Sequence, residues 1–328
     1  MLINYFIIVL FGVLSGMFFI SVLRKFTLSH KILIPHGIPL IGGVGMGISF
    51  VLAALFGLLF FRGFSREGIG IIVSASIMLI FGLVDDFKRL SVMNKFFIQI
   101  IAITFLIFFG VRTQIVYIGD LANLVITFVW ILAITNAFNL LDIADGLSAG
   151  CGIIASSAFF VVSLLNGDMV TAILSLALAA ATLSCFIYNL PPARVYMGNT
   201  GSHFLGFSLA AIALAISYAP LGRKVALISP LLILGFPIFD TAFLILMRVS
   251  KGRPIFKKSN DHLALRFLSL GYSKSKTLLF MLALSLFFTL CGLSLSQVSN
   301  IPGIIIIVSV VIIAVTLTRR MGRVSVES

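Results

Sequence analysis

LANLVITFVWILAITNAFNLLDIADGLSAG, residues 121–150, is uncharged as far as Leu141 and then places Asp142 and Asp145 directly after the apolar run. A bilayer's hydrocarbon core is about 30 Å thick and takes roughly 20 apolar helical residues to cross. Residues 121–141 therefore read as a membrane-spanning helix ending on a polar segment. The same reading extends outward to residues 1–23, 146–167, 169–193 and 195–222, all without Asp, Glu, Lys or Arg. Residues 277–318 are also uncharged, long enough for two spans around a polar break near Ser299 and Pro302. Hydrophobic residues make up 60% of the 328 and charged residues 10%, with mean hydropathy +1.22, far from a soluble domain.

The pattern predicts an all-α, polytopic membrane helix bundle of about eleven transmembrane helices. They fall near 2–23, 41–61, 69–84, 94–111, 121–140, 146–165, 169–188, 202–219, 225–248, 277–296 and 302–318. Unbroken apolar runs argue against barrel strands, which would alternate polar and apolar residues. The first run precedes Arg24-Lys25 and is longer than the apolar region of a cleavable signal, so it reads as a retained helix. With no soluble stretch or linker, the whole of 1–328 reads as one membrane domain.

Lys and Arg mark cytoplasmic loops. With the N-terminus outside and the C-terminus cytoplasmic, the inner loops hold Arg24, Lys25, Lys31, Lys88, Arg89, Lys95, Arg194, the basic segment 248–276, Arg319, Arg320 and Arg323. The outer loops keep only Arg62, Arg66, Arg112, Arg223 and Lys224. Topology and contact with anionic headgroups account for the net charge of +13, so nucleic acid is not expected as a partner. Cys151, Cys185 and Cys291 all fall in spans without metal or redox spacing and read as packing residues.

This topology puts the polar motifs on one face: Asp85-Asp86 in FGLVDDFKRL, Asn136 to Asp145, YNLPPARVYMGNTGSHF at 188–204, and KGRPIFKKSNDHLALRF at 251–267. Each has a purely structural alternative, with Asp145 capping the helix after it and Asp85-Asp86 closing a helix into a loop. Their convergence suggests chemistry instead. Carboxylates suit Mg²⁺, which binds through one or two of them plus phosphates and water. Gly198 and Gly201 in the loop sequence GNTGS let backbone N–H groups approach an anion closely, the helix that follows offers its positive dipole end, and Arg and Lys in 248–267 can hold phosphate charge. The set describes phosphoryl transfer at a membrane surface.

In order, IPHGIPLIGG (34–43), VDDF (84–87), NAFNLLDIADGLSAG (136–150), YMGNTGSHFLGF (196–207) and the run 237–273 resemble the motifs of the polyprenyl-phosphate N-acetylhexosamine-1-phosphate transferases, glycosyltransferase family 4, in particular its undecaprenyl-phosphate N-acetylglucosamine-1-phosphate transferases. The resemblance implies transfer of a sugar 1-phosphate from a UDP-sugar to undecaprenyl phosphate at the cytoplasmic face of a bacterial cell membrane. UMP is released, Mg²⁺ or Mn²⁺ is the cofactor, and a homodimer is left open. It implies Asp85 and Asp86 as the catalytic, metal-binding pair, with Asn199 as a further metal ligand. It implies Asn136, Asn139, Asp142, Asp145, Gly198, Gly201, Asp240, Arg253, His262 and Arg266 as substrate-binding residues, with Lys257 and Lys258 countering the leaving charge.

Three departures stand out. The family's GDxGS is GNTGS here, with Asn199 in place of an Asp; Ala264 and Leu265 replace further loop histidines; and Ile143 replaces a Gly. The 251–267 loop is more similar to that of surface-polysaccharide initiators than of muropeptide transferases, which implies a simple UDP-N-acetylhexosamine donor. A non-catalytic lipid-phosphate or nucleotide-sugar binder of the same fold, and a secondary transporter using Asp240, are the alternative readings.

Overall fold

The computed structural model describes residues 2–218, 223–254, 260–324 and 326, and contains no strand among them. Thirteen α-helices are assigned among the described residues: α1 Leu2–His30, α2 Gly42–Phe61, α3 Arg66–Lys88, α4 Val92–Phe108, α5 Gly119–Leu141, α6 Leu147–Leu165, α7 Met169–Asn189, α8 Gly198–Ala215, α9 Ser229–Ile233, α10 Gly235–Ser250, α11 Leu263–Ser269, α12 Lys274–Gln297 and α13 Asn300–Gly322. Eight of these are long and apolar enough to cross a membrane, or nine if the bent α9–α10 pair is one span. Each expected segment falls on a helix, but α4 is shorter and α8 more polar than the sequence reading assumed. The chain divides into two compact units, Met1–Ser217 and Tyr218–Ser328.

Sequence-local signals start several helices. Ser65, Ser91, Asp168 and Ser273 accept hydrogen bonds from Gly68 N, Asn94 N, Thr171 N and Lys276 N, satisfying donors that a helix start leaves orphaned. In the first unit α8 is the hub, packing on α2, α3, α5, α6 and α7, and it is buried continuously from Thr200 to Ala213. Small and apolar side chains all round a helix suit burial on every side. Outer α1 instead presents Leu2, Phe6, Leu14 and Phe18 outward, as a lipid-facing helix would. Polar contacts add to the packing: Ser49 Oγ donates to Gly12 O at 2.6 Å and Trp130 Nε1 to Ala210 O at 3.1 Å.

In the second unit the expected ninth span is broken, with Lys224–Ile233, which ends in α9, and α10 meeting at 72°. Pro237 has no N–H to give the carbonyl of Ile233, four residues back, which weakens the helical ladder at the break before α10. That carbonyl accepts the Thr289 hydroxyl at 3.0 Å instead, which removes the cost of an unpaired buried group. α12 packs on α9, α10, α11 and α13, with Phe239 stacked on Phe288.

Candidate active site

VDDF, NAFNLLDIADGL and GNTGS come together in the first unit, and close backbone approach makes this so. Gly82, one helical turn before Asp86, faces the start of α8: a Cβ there would lie 2.8 Å from Asn199 O and 2.9 Å from Thr200 N. Gly198 has φ +71°, and a Cβ on it would lie 2.7 Å from Asp86 Oδ2. Both positions demand glycine. GNTGS is thus the first turn of α8 and not the loop before it.

The Asp86 carboxylate consequently reaches the open end of α8. Asn199 N donates to Oδ1 at 2.9 Å, while Thr200 N and Thr200 Oγ1 donate to Oδ2 at 2.9 and 2.6 Å. Negative charge at a helix N-terminus is favourable. IPHGIPLIGG backs this turn from behind, since Tyr196 N donates to Pro39 O, Gly42 N to Tyr196 O and Gly43 N to Met197 O.

Asp85 points elsewhere. Fully buried, it accepts Leu90 N at 2.8 Å through Oδ1 and the Lys95 ammonium at 2.5 Å through Oδ2. It ties the end of α3 to the turn that starts α4.

Asn139 donates to Asn199 Oδ1 at 2.9 Å and to Ser202 Oγ at 3.0 Å, and Asn136 donates to Gln99 Oε1 at 3.0 Å. Gly201 lies between Asn199 and Ser202 in the same turn. Asp145 does not cap α6: that cap is Gly146, whose N–H goes to Asn189 Oδ1 at 2.8 Å, while Asp145 Oδ2 accepts Ala193 N at 3.3 Å. Asp142 follows α5. Burial, then the charges of Asp86 and Asp145, push its pKa up to about 7, with no hydrogen bond to offset them.

Asp142→Asn is therefore expected to raise the thermal midpoint. An acid with a raised folded-state pKa favours the native state while protonated, and loses that advantage as pH climbs from the unfolded value toward the folded one. The gain from Asn should be small near pH 4, grow up to about pH 7 and stay flat above it. Thermal unfolding in detergent without divalent cations checks this; a gain independent of pH would refute it.

The second unit builds a separate cluster. Asp240, buried in α10, meets His262 Nδ1 at 2.8 Å and accepts Leu263 N at 3.0 Å, so the intramembrane carboxylate has a buried polar partner. Asp261 contacts Lys251 Nζ at 2.5 Å, Arg266 at 2.9 Å and Arg253 at 3.6 Å. Burial opposes its charge, but Lys251, Arg266 and Arg253 outweigh that and hold its pKa below the usual carboxylate range. Lys257 and Lys258 lie outside the described residues. Sequence reasoning passed over Asp261, Lys95 and Thr200. Asp261 could have been found as the one acid inside the basic 251–267 segment, next to His262.

Residues 68–217 match the model of glycosyl transferase family 4. The chain is also 31% identical over 276 residues to a decaprenyl-phosphate N-acetylglucosaminephosphotransferase of Mycobacterium leprae (strain TN), covering 74% of this chain and 69% of that protein. The chain belongs to glycosyl transferase family 4. Within the family it is 33% identical over 235 residues to a probable undecaprenyl-phosphate N-acetylglucosaminyl 1-phosphate transferase of Bacillus subtilis (strain 168), covering 69% of this chain and 65%, just under two thirds, of that protein. A phospho-N-acetylmuramoyl-pentapeptide-transferase of Streptococcus pneumoniae (strain 70585) is 31% identical over 249 residues, covering 69% of this chain and 73% of that protein. The family match contains Asp85, Asp86, Asn136 to Asp145 and GNTGS, the convergent set of the first unit.

Proposed function

We propose that this chain transfers N-acetylhexosamine 1-phosphate from a UDP-sugar to a polyprenyl phosphate and releases UMP. The observation that carries this reading is the Asp86 carboxylate fastened to the first turn of α8, with Asp142 near enough to feel its charge, in a member of this family. We assign both units to one transferase in a bacterial cell membrane, with eleven crossings, the N-terminus outside and the polar motifs facing the cytoplasm.

Among the described residues no three His, Cys, Asp or Glu side chains form a ready metal cage. Mg²⁺ needs none, because one or two carboxylates suffice when phosphates and waters complete its octahedron. Asp86 and Asp142 fit that role, with the Asn199 amide beside them. Asp85, which accepts the Lys95 ammonium, is assigned to positioning Lys95. Bound Mg²⁺ or Mn²⁺ would supply charge neutralisation to the diphosphate.

The chain's own residues then position the reactants. A phosphate oxygen of the lipid attacks the sugar-linked phosphorus in line; the new P–O bond forms as the bond to UMP breaks, and UMP carries away the electron pair. Asp86 orders the α8 turn, and Asn136, Asn139 and Asp145 are assigned to the nucleotide. Arg253 and His262 are assigned to substrate charge.

The test is UMP release by purified protein from a panel of UDP-N-acetylhexosamines with undecaprenyl phosphate, with and without EDTA. Turnover that EDTA abolishes supports the reading. Binding of lipid phosphate without turnover of any donor would support the non-catalytic alternative. In the same assay Asn199→Asp, which adds a carboxylate next to Asp86, is expected to lower the Mg²⁺ concentration for half-maximal rate about tenfold. Unchanged metal dependence would remove Asn199 from the ion's surroundings.

A further inference from the structure

Arg266 reads in sequence as one more cation of a phosphate-binding loop, yet its side chain is 0% exposed. A buried guanidinium survives only when paired and hydrogen-bonded. Its NH2 group donates to Asp261 Oδ1 at 2.9 Å and its Nε to Asp261 O at 3.4 Å. Its NH1 group faces Met321 O at 2.8 Å, Gly322 O at 3.4 Å and Val324 O at 2.5 Å. The Phe243 ring covers its face, 5.1 Å from centroid to Cζ. With these contacts and no exposure, the group has no route to a substrate phosphate.

Two of these acceptors, Met321 O and Gly322 O, are the last carbonyls of α13, and Val324 O follows just beyond its end. A helix leaves its last carbonyls unpaired and carries partial negative charge there, so a guanidinium is a fitting cap. The same guanidinium grips both the backbone and the carboxylate of Asp261. The next residue, His262, caps α11 and is held by Asp240 from its other side. His262 is therefore fixed between α10 and the end of the last helix.

We propose that Arg266 is a positioning residue that clamps the C-terminal end of α13 to Asp261 and thereby sets the orientation of His262, making residues 321–324 part of the machinery that holds substrate. That last consequence rests on the assignment of His262 to substrate under Proposed function. Five chains test it: wild type, Arg266→Met, a chain ending at Arg320, the two changes combined, and a chain ending at Val326, which keeps all three carbonyls.

The first measurement is hydrogen exchange over residues 260–270 in detergent, which needs no activity. Arg266→Met and the chain ending at Arg320 should each exchange about tenfold faster there, the combination no faster than either alone, and the chain ending at Val326 like wild type. A chain ending at Arg320 that exchanges like wild type overturns the clamp, even if Arg266→Met misfolds. The second measurement is turnover: the clamp predicts that truncation to Arg320 lowers kcat with Arg266→Met and leaves KM for the UDP-sugar within about twofold. If Arg266 instead touched substrate, Arg266→Met would lose activity while the chain ending at Arg320 kept it. Should wild type show no turnover, the proposed activity fails and the exchange result still decides the clamp.

Discussion

Asp86→Asn is expected to lower turnover by about 10²–10³-fold, the usual loss when one preorganised electrostatic group is removed from an active site. Asn offers one acceptor oxygen where Asp86 uses two, and it carries no charge. Either Asn199 N, or Thr200 N with Thr200 Oγ1, must lose its partner at the start of α8. Asp86→Ala strands all three donors and should cost about 1–3 kcal/mol of stability besides. Thr200→Val removes only the hydroxyl and should leave most of the turn and most of the rate. Initial rates of UMP release, with thermal unfolding in detergent run in parallel, separate the chemical loss from the structural one. Turnover of Asp86→Asn within a few-fold of wild type would reassign the residue to a purely structural cap.

The pairing of this prediction with Asp86 and not Asp85 marks where sequence reading stops. The helical nature of the chain and the meeting of VDDF, NAFNLLDIADGL and GNTGS were legible, because uncharged runs of bilayer length and glycine-rich polar segments announce themselves. The different fates of two adjacent aspartates were not. Successive residues on a helix differ by about 100° in direction, so one carboxylate faces α8 and the other faces Lys95 at the start of α4. Only packing decides which is which. The break in the ninth segment was signalled by Pro230 and Pro237, although the apolar run 225–248 read as one span. Arg266 carried a quieter signal: it stands alone in LALRFLSL, an apolar stretch that packs against α12, and a charge at such a position needs buried partners. Asp145 was open to a capping role by position alone, and the structure gives that place to Gly146.

Asp240→Ala is expected to cost about 3–5 kcal/mol in the second unit, the penalty for removing one member of a buried, hydrogen-bonded pair. His262 Nδ1 and Leu263 N would both lose their acceptor while buried, and α11 would lose the group that satisfies its first N–H. Asp240→Asn keeps one oxygen, enough for Leu263 N or for His262 but not both, so its cost should be intermediate. The diagnostic comparison is a double-mutant cycle with His262→Ala. If Asp240 acts only by holding the histidine and the start of α11, the second substitution should add little to the stability loss of the first, and the turnover loss of the pair should match the larger single loss. If the two losses in turnover multiply while the losses in stability do not, Asp240 has a contact with substrate independent of His262. Equal thermal midpoints for wild type and Asp240→Ala would mean that the α10–α11 contact carries no stability, and the reason for tolerating a carboxylate in this apolar segment would then have to be sought in binding alone.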